Sequence, residues 1–166
     1  MLVNDGLLWR EPNKPAVVPK LSGADVRDLN LVRVPLELQI VHLVAQRGDI
    51  PIAAAAAVWT IGQMTKAVPT DEFVKADLGF HQALVESVAS PRLTRLYRSI
   101  RGEIHLSMVQ SKTVLGPERI AREHGGILDA LREHDEELAK KRMREHLEKA
   151  CSLIAEKLDR AVDQTS

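Results

Sequence analysis

Asp77 and His81 lie four residues apart in "KADLGFHQAL", within a run where Phe73, Phe80, Leu84 and Val88 recur at three- and four-residue steps. The pair therefore interrupts the stripe that a helix would turn inward. An unpaired buried carboxylate costs several kcal/mol, so Asp77 needs a cation, a strong donor or water. Two further histidines are placed in the same way. His124 falls in the stripe Ile120, Ile127, Leu128, Leu131, and His146 in the stripe Met143, Leu147, Ala150, Leu153, Ile154. Imidazole nitrogen with a single carboxylate oxygen suits a divalent transition metal such as zinc, nickel or manganese. Spacing of four on one helix also lets two ligands reach one ion. The competing reading is that each histidine is a core residue hydrogen-bonded to the backbone or to a neighbouring acid. Both readings stand on the pattern alone, and four interruptions taken together favour the metal.

The remaining histidines are placed differently. His42 lies off the Leu36, Ile40, Leu43 ridge and His134 sits at a helix end among charges, as surface or boundary residues do. His105 follows Arg98 and Arg101 on one face of a helix, a set suited to lining a polar cavity. Were a metal here to activate water, Glu37 and Glu103 are the uncommitted acids available as a general base. A helical interaction module, with the polar core positions serving packing register only, is the third possibility.

The elements that must position these residues are helices. From Ser22 onward, helix signals alternate with short breaks and no sustained strand-like alternation occurs. A first helix opens with the capping-box pattern Ser22 and Asp25 and closes at Gly48, with Pro35 expected to kink or divide it. An alanine-rich second helix starts with Pro51 in its first turn, runs to Val68 and reads as tightly packed. Thr70 is the expected N-cap of the third, with two acids in its first turn. Ser90 and Pro91 start the fourth, Gly116 and Pro117 break before the fifth, and Asp135 caps the sixth. Helices joined by short loops imply an all-α antiparallel bundle of about six helices. Residues 1–21, "MLVNDGLLWREPNKPAVVPKL", are two short apolar runs around a turn signal, expected as a short hairpin or extended remnant. Residues 163–166 form a tail.

Composition narrows the function classes. The chain has 166 residues, 45% of them hydrophobic, with 23 basic and 23 acidic side chains. That is one domain with a real core and no overall charge to draw it to nucleic acid. The lone Cys151 cannot form an internal disulfide and reads as core filling. No stretch approaches the roughly 18 apolar residues of a membrane span, and no secretory signal opens the chain, so a cytoplasmic protein is expected.

Four motifs, "VRVPLE", "DLGFH", "EHGGILDAL" and "AKKRMREHL", occur in the order and rough spacing of a known family. The chain resembles the FCD effector-binding domain of FadR-like GntR transcription regulators from about Ser22 to Leu158, so that residues 22–162 form the domain. The resemblance implies a helical bundle in which Asp77, His81, His124 and His146 bind a divalent transition metal, commonly zinc or nickel, with open positions facing a cavity. A small carboxylate effector would then take those positions. Arg33 stands where the family places a cavity-facing arginine, and Arg101 and His105 join it as candidate effector contacts. The resemblance further implies a homodimer and allosteric control of DNA binding, not catalysis. Residues 1–21 resemble the end of the family's winged helix-turn-helix, with Lys14 and Pro15 where Arg-Gly is typical. The helices that precede the wing are not in this sequence, so DNA binding by this chain alone is not expected.

Overall fold

The computed structural model of the chain describes residues 18–65, 67–112 and 116–163. Six α-helices occupy them: α1 Gly23–Arg47, α2 Ile52–Gln63, α3 Thr70–Ser87, α4 Pro91–Ser111, α5 Pro117–Arg132 and α6 Glu136–Asp163. There is no strand among the described residues. Of the expected N-terminal remnant, residues 1–17 lie outside the described residues, as do 164–166 of the tail. Residues 18–22 lead into α1 without regular structure and are tied to α4, where Gln110 accepts from the Leu21 amide and donates to the Pro19 carbonyl.

Helix boundaries follow local chemistry. Ser22 and Asp25 form the expected reciprocal capping box on α1. Gly48 closes that helix with φ 74° and donates its amide back to Val44 and Ala45. Alanine at this left-handed position is expected to lower unfolding free energy by about 1 kcal/mol, which a urea denaturation curve of Gly48→Ala checks. Pro35 does not divide α1. The carbonyl it deprives of a partner belongs to Leu31, an exposed position where solvent can supply a donor in place of the missing one.

Two other boundaries differ from the sequence reading. α2 stops at Gln63, five residues early, as Met64 turns extended. It is also less buried than its composition suggests, with only Ala54 and Ile61 fully enclosed and Ile52 and Trp59 on the surface. Thr70 sits inside the first turn of α3, and Pro69 holds the capping position without a side-chain bond. Ser90 caps α4, and Asp135 accepts from the Leu138 amide at the start of α6, both as expected.

Cross-links between the helices define their directions. Gly23 and Arg27 at the start of α1 bond Asp159 near the end of α6, whereas His42 and Gln46 bond Glu136 at its beginning. The two longest helices are thus antiparallel. Arg47 donates to the carbonyls of Ser87 and Val88, placing a cation on the C-terminus of α3, where the helix dipole favours it.

The apolar core divides in two. One cluster gathers around Ile40, Phe80, Leu84, Ile127, Leu131 and Met143, the other around Phe73, Leu78, Ile104, Ile120, Ile154 and Leu158. Arg33, Glu37, Asp77, His81, His124 and His146 are all buried. Along α5, His124 falls between Ile120 of one cluster and Ile127 of the other. A polar layer therefore lies at the junction of two apolar ones, where its groups must find partners within the bundle.

Candidate metal centre

Asp77 and His81 come from α3, His124 from α5 and His146 from α6, and one ligand atom from each lies within 4.8 Å of all the others. His124 Nε2 is 3.2 Å from His146 Nε2 and 3.6 Å from Asp77 Oδ1. Two donors each about 2.1 Å from one ion stand roughly 3.0 to 3.4 Å apart, depending on the angle between them. The spacing of the two rings is therefore that of two ligands of one ion.

Hydrogen bonds at the back of two rings aim their free nitrogens at the cluster. Glu37 Oε2 is 2.5 Å from His81 Nδ1, and Glu123 Oε2 is 2.9 Å from His146 Nδ1. An ionised carboxylate only accepts, so each imidazole donates from Nδ1 and keeps a lone pair on Nε2. His81 Nε2 is buried without a hydrogen-bond partner, as is His124 Nδ1. Between His124 and His146, two lone pairs face each other unless a cation lies between them or His124 carries its proton on Nε2. The second arrangement leaves the His124 Nδ1 lone pair buried and unanswered, which costs about 1–3 kcal/mol. The residues present thus fit a divalent transition metal.

The carboxylates are themselves held. Arg33 Nε donates to Glu37 Oε1 at 2.6 Å and Arg119 Nε donates to Glu123 Oε1 at 2.7 Å, each one helical turn away. Two Arg–Glu–His relays thus converge on the cluster, one from α1 and one from α5. Burial raises the Glu37 carboxyl, but His81 and Arg33 outweigh it and hold the group well below its ordinary range. For Glu123, burial is likewise outweighed, by hydrogen bonds from His146 and Arg119, which bring it down to about 2. His124 is pushed well below the usual imidazole value by burial first and then by His146, His81 and Arg33. It is neutral, as a ligand must be. The Phe80 ring stacks on His124 with centroids 3.9 Å apart and planes 9° apart, which sets the ring's orientation.

These shifts set the acid behaviour of the metal-free protein. The unfolded chain takes up a proton at His124 below about 6.5 while the folded site resists it, so stability is lost as pH falls through that value. Glu123 follows. Its contribution is complete above about 4.5 and is lost as pH falls towards about 2. The expected result is a Tm that falls between pH 7 and 5 and falls further below pH 4.5, with the first phase flattened in His124→Gln. Calorimetry across a pH series checks it.

The three expected effector contacts are not equivalent. Arg33 is buried, its Nη2 has no partner, and it lines a cavity of about 20 Å³ with Asp77, His146, Phe73 and Met108. That space holds about one water molecule. Arg101 has a buried Nε without a partner. His105 is half-buried and pairs with Asp71 at 3.0 Å, and neither it nor Arg101 lines the small cavities beside Arg33. Sequence reasoning missed the positioning role of Glu37 and of Glu123 with Arg119, which only their four-residue spacings hinted at. It also missed Tyr97, fully buried with an unpartnered hydroxyl. Burial and Glu37 push that phenol far up, so it keeps its proton. Glu37, one of the two acids considered as a general base, is engaged on both oxygens by Arg33 and His81.

The family model described as FCD domain matches residues 28–149. This chain belongs to the FCD domain family. YdhC of Bacillus subtilis (strain 168), an HTH-type transcriptional regulator, is 25% identical over 165 residues, spanning 96% of this chain and 73% of its own length. A crystal structure of a GntR family transcriptional regulator from Pseudomonas syringae pv. tomato str. DC3000 superposes with a TM-score of 0.73 at 20% identity, over 99% of this chain and 70% of that one. McbR/YncC of E. coli gives 0.79 at 17% identity, over 93% and 80%. At these identities the two solved structures speak to the fold, and the helical bundle of this FCD domain is theirs. No helix of the described residues is long and apolar enough to cross a membrane.

Proposed function

We propose that this FCD domain senses a small organic carboxylate through a divalent transition metal held by Asp77, His81, His124 and His146. Zinc and nickel suit the three-nitrogen, one-oxygen set best, and manganese is compatible. The observation that carries the reading is the convergence of four buried ligand atoms from three helices within 4.8 Å, with the His81 Nε2 lone pair unanswered. When bound, the metal supplies a Lewis-acidic anchor for the effector's carboxylate. The chain supplies the rest. Arg33 already neutralises Glu37 and has Nη2 free beside Asp77, so its guanidinium can take a second acceptor, with Arg101 and Tyr97 as further donors. His105 has Nε2 engaged by Asp71, so its contact with the effector is made through Nδ1.

The cavity beside Arg33 is smaller than any carboxylic acid, so binding must enlarge it. Met108, an unbranched and adaptable side chain in its wall, is the element best able to yield. A rearrangement that binding requires is also one that binding can transmit, which is what control of an attached DNA-binding domain needs. In this reading two chains form a cytoplasmic homodimer, to which exposed Leu31, Val32 and Leu96 on the neighbouring helices α1 and α4 lend apolar surface. DNA is contacted only through a winged helix-turn-helix.

Elemental mass spectrometry of the untagged protein, followed by calorimetric titration of small carboxylates with and without metal, tests the proposal. About one ion per chain and metal-dependent binding of an acid are expected. Absence of metal after metal-replete growth would overturn it.

A further inference from the structure

Gly126 of the "EHGGILDAL" motif contributes nothing to the metal cluster but lines the groove between α5 and α6, whereas a β-carbon on Gly125 would face Val58 of α2. A β-carbon on Gly126 would come within 3.3 Å of Arg142 Nη1. Instead the guanidinium lies across α5 and donates to the Gly126 carbonyl. The groove holds about 610 Å³, within the range of small-ligand sites and far larger than the cavity beside Arg33.

Its free charge is positive. Arg122 reaches it from α5, and Arg142 and Lys149 from α6. Of the acids along it, Glu123 is engaged by Arg119 and His146 and Asp129 by Arg132 at 2.6 Å. Glu145 and Arg122 have only long approaches, from exposed Lys141 at 4.0 Å and exposed Glu118 at 3.9 Å, so three cations face one weakly paired acid. His146 and Glu123 form the inner wall, so the groove meets the metal cluster through the back of one of its rings.

We propose that the α5–α6 groove is a second ligand site, on the outside of the bundle, for a small anion bearing several negative charges. Two guanidinium forks and an ammonium on opposing helices suit phosphate or a polycarboxylate, since a planar fork matches paired oxygens and an ammonium adds a point charge. The site needs no metal.

The test uses metal-free chain, titrated separately with inorganic phosphate and with tricarballylate, a tricarboxylate, at constant ionic strength. The readouts are the amide resonances of Gly125 and Gly126 and the heat of binding. Saturable shifts with at least one probe are expected, and the one bound more tightly identifies the anion class. Arg122→Gln combined with Lys149→Gln removes two exposed cations without touching the core, and should weaken binding at least about tenfold, equivalent to about 1.4 kcal/mol. Arg92→Gln with Arg95→Gln on α4 removes the same charge elsewhere and should leave affinity unchanged. No saturable shift with either probe, or equal weakening in both double variants, would overturn the proposal. Because the protein is metal-free throughout, failure here is distinguishable from failure of the metal reading.

Discussion

Replacing His81 with alanine is expected to reduce bound metal from about one ion per chain to near zero and to destabilise even the metal-free protein by about 3 kcal/mol. The first effect removes one of four ligands whose partners cannot reach further, since all are fixed on packed helices. The second has a separate cause. His81 Nδ1 donates to Glu37, a carboxylate only 2% exposed, and losing a hydrogen bond to a buried charged group costs about 1.5–3 kcal/mol. Arg33 remains beside Glu37 and keeps its charge compensated, while the cavity left by the buried ring brings the loss to the upper end of that range. Combining His81→Ala with Glu37→Gln leaves buried Arg33 without its counter-ion, so the double variant should be less stable than the single one and recover none of the metal. Elemental analysis and urea denaturation of the two variants separate these effects. Unchanged metal content in His81→Ala would sink the ligand assignment, and a double variant at least as stable as the single one would sink the account of Arg33 and Glu37 as a buried pair.

Phe80→Ala is expected to cost about 3–5 kcal/mol, the usual range for truncating a fully buried aromatic side chain. Phe80 is 0% exposed and packs within the larger apolar cluster. Phe80→Leu is the more informative change. It keeps most of the apolar volume at a cost of about 1 kcal/mol, but removes the flat surface on which the His124 ring lies at 3.9 Å. Losing what orients a ligand typically costs about 10–100-fold in metal affinity. Competition against a chromophoric chelator measures that loss. If Phe80→Leu held metal as tightly as the parent chain, the stack would be ordinary core packing and His124 would take its orientation from elsewhere.

Both predictions concern residues that were visible in the sequence as members of one stripe, Phe73, Asp77, Phe80 and His81, and all four are buried. Periodicity identified the inward face because a helix repeats every 3.6 residues whatever its surroundings. It could not assign partners. Glu37 was an acid on α1 with no evident task until the fold brought α1 alongside α3 and set its carboxylate 2.5 Å from His81. Glu123 and Arg119 on α5 had the same history, becoming a positioning pair only once α6 supplied His146. His105 shows the converse. Its place beside Arg101 along α4 suggested a shared cavity, but the start of α3 engages it through Asp71.

The sequence by itself determined the helices, most of their ends, the inward direction of Asp77, His81, His124 and His146, and the family. These depend on local chemistry: the capping box at Ser22, the left-handed turn at Gly48, and the spacing of apolar residues along each helix. The tertiary structure decided how far the four candidate ligands stand from one another, which carboxylates hold their rings, and how little space lies beside Arg33. It also decided that Ile52 and Trp59 of the apolar second helix stay on the surface. The physical reason is the same in each case. A repeat along one helix specifies a face, but distance, burial and cavity volume are properties of several faces together, fixed only when α1, α3, α5 and α6 pack.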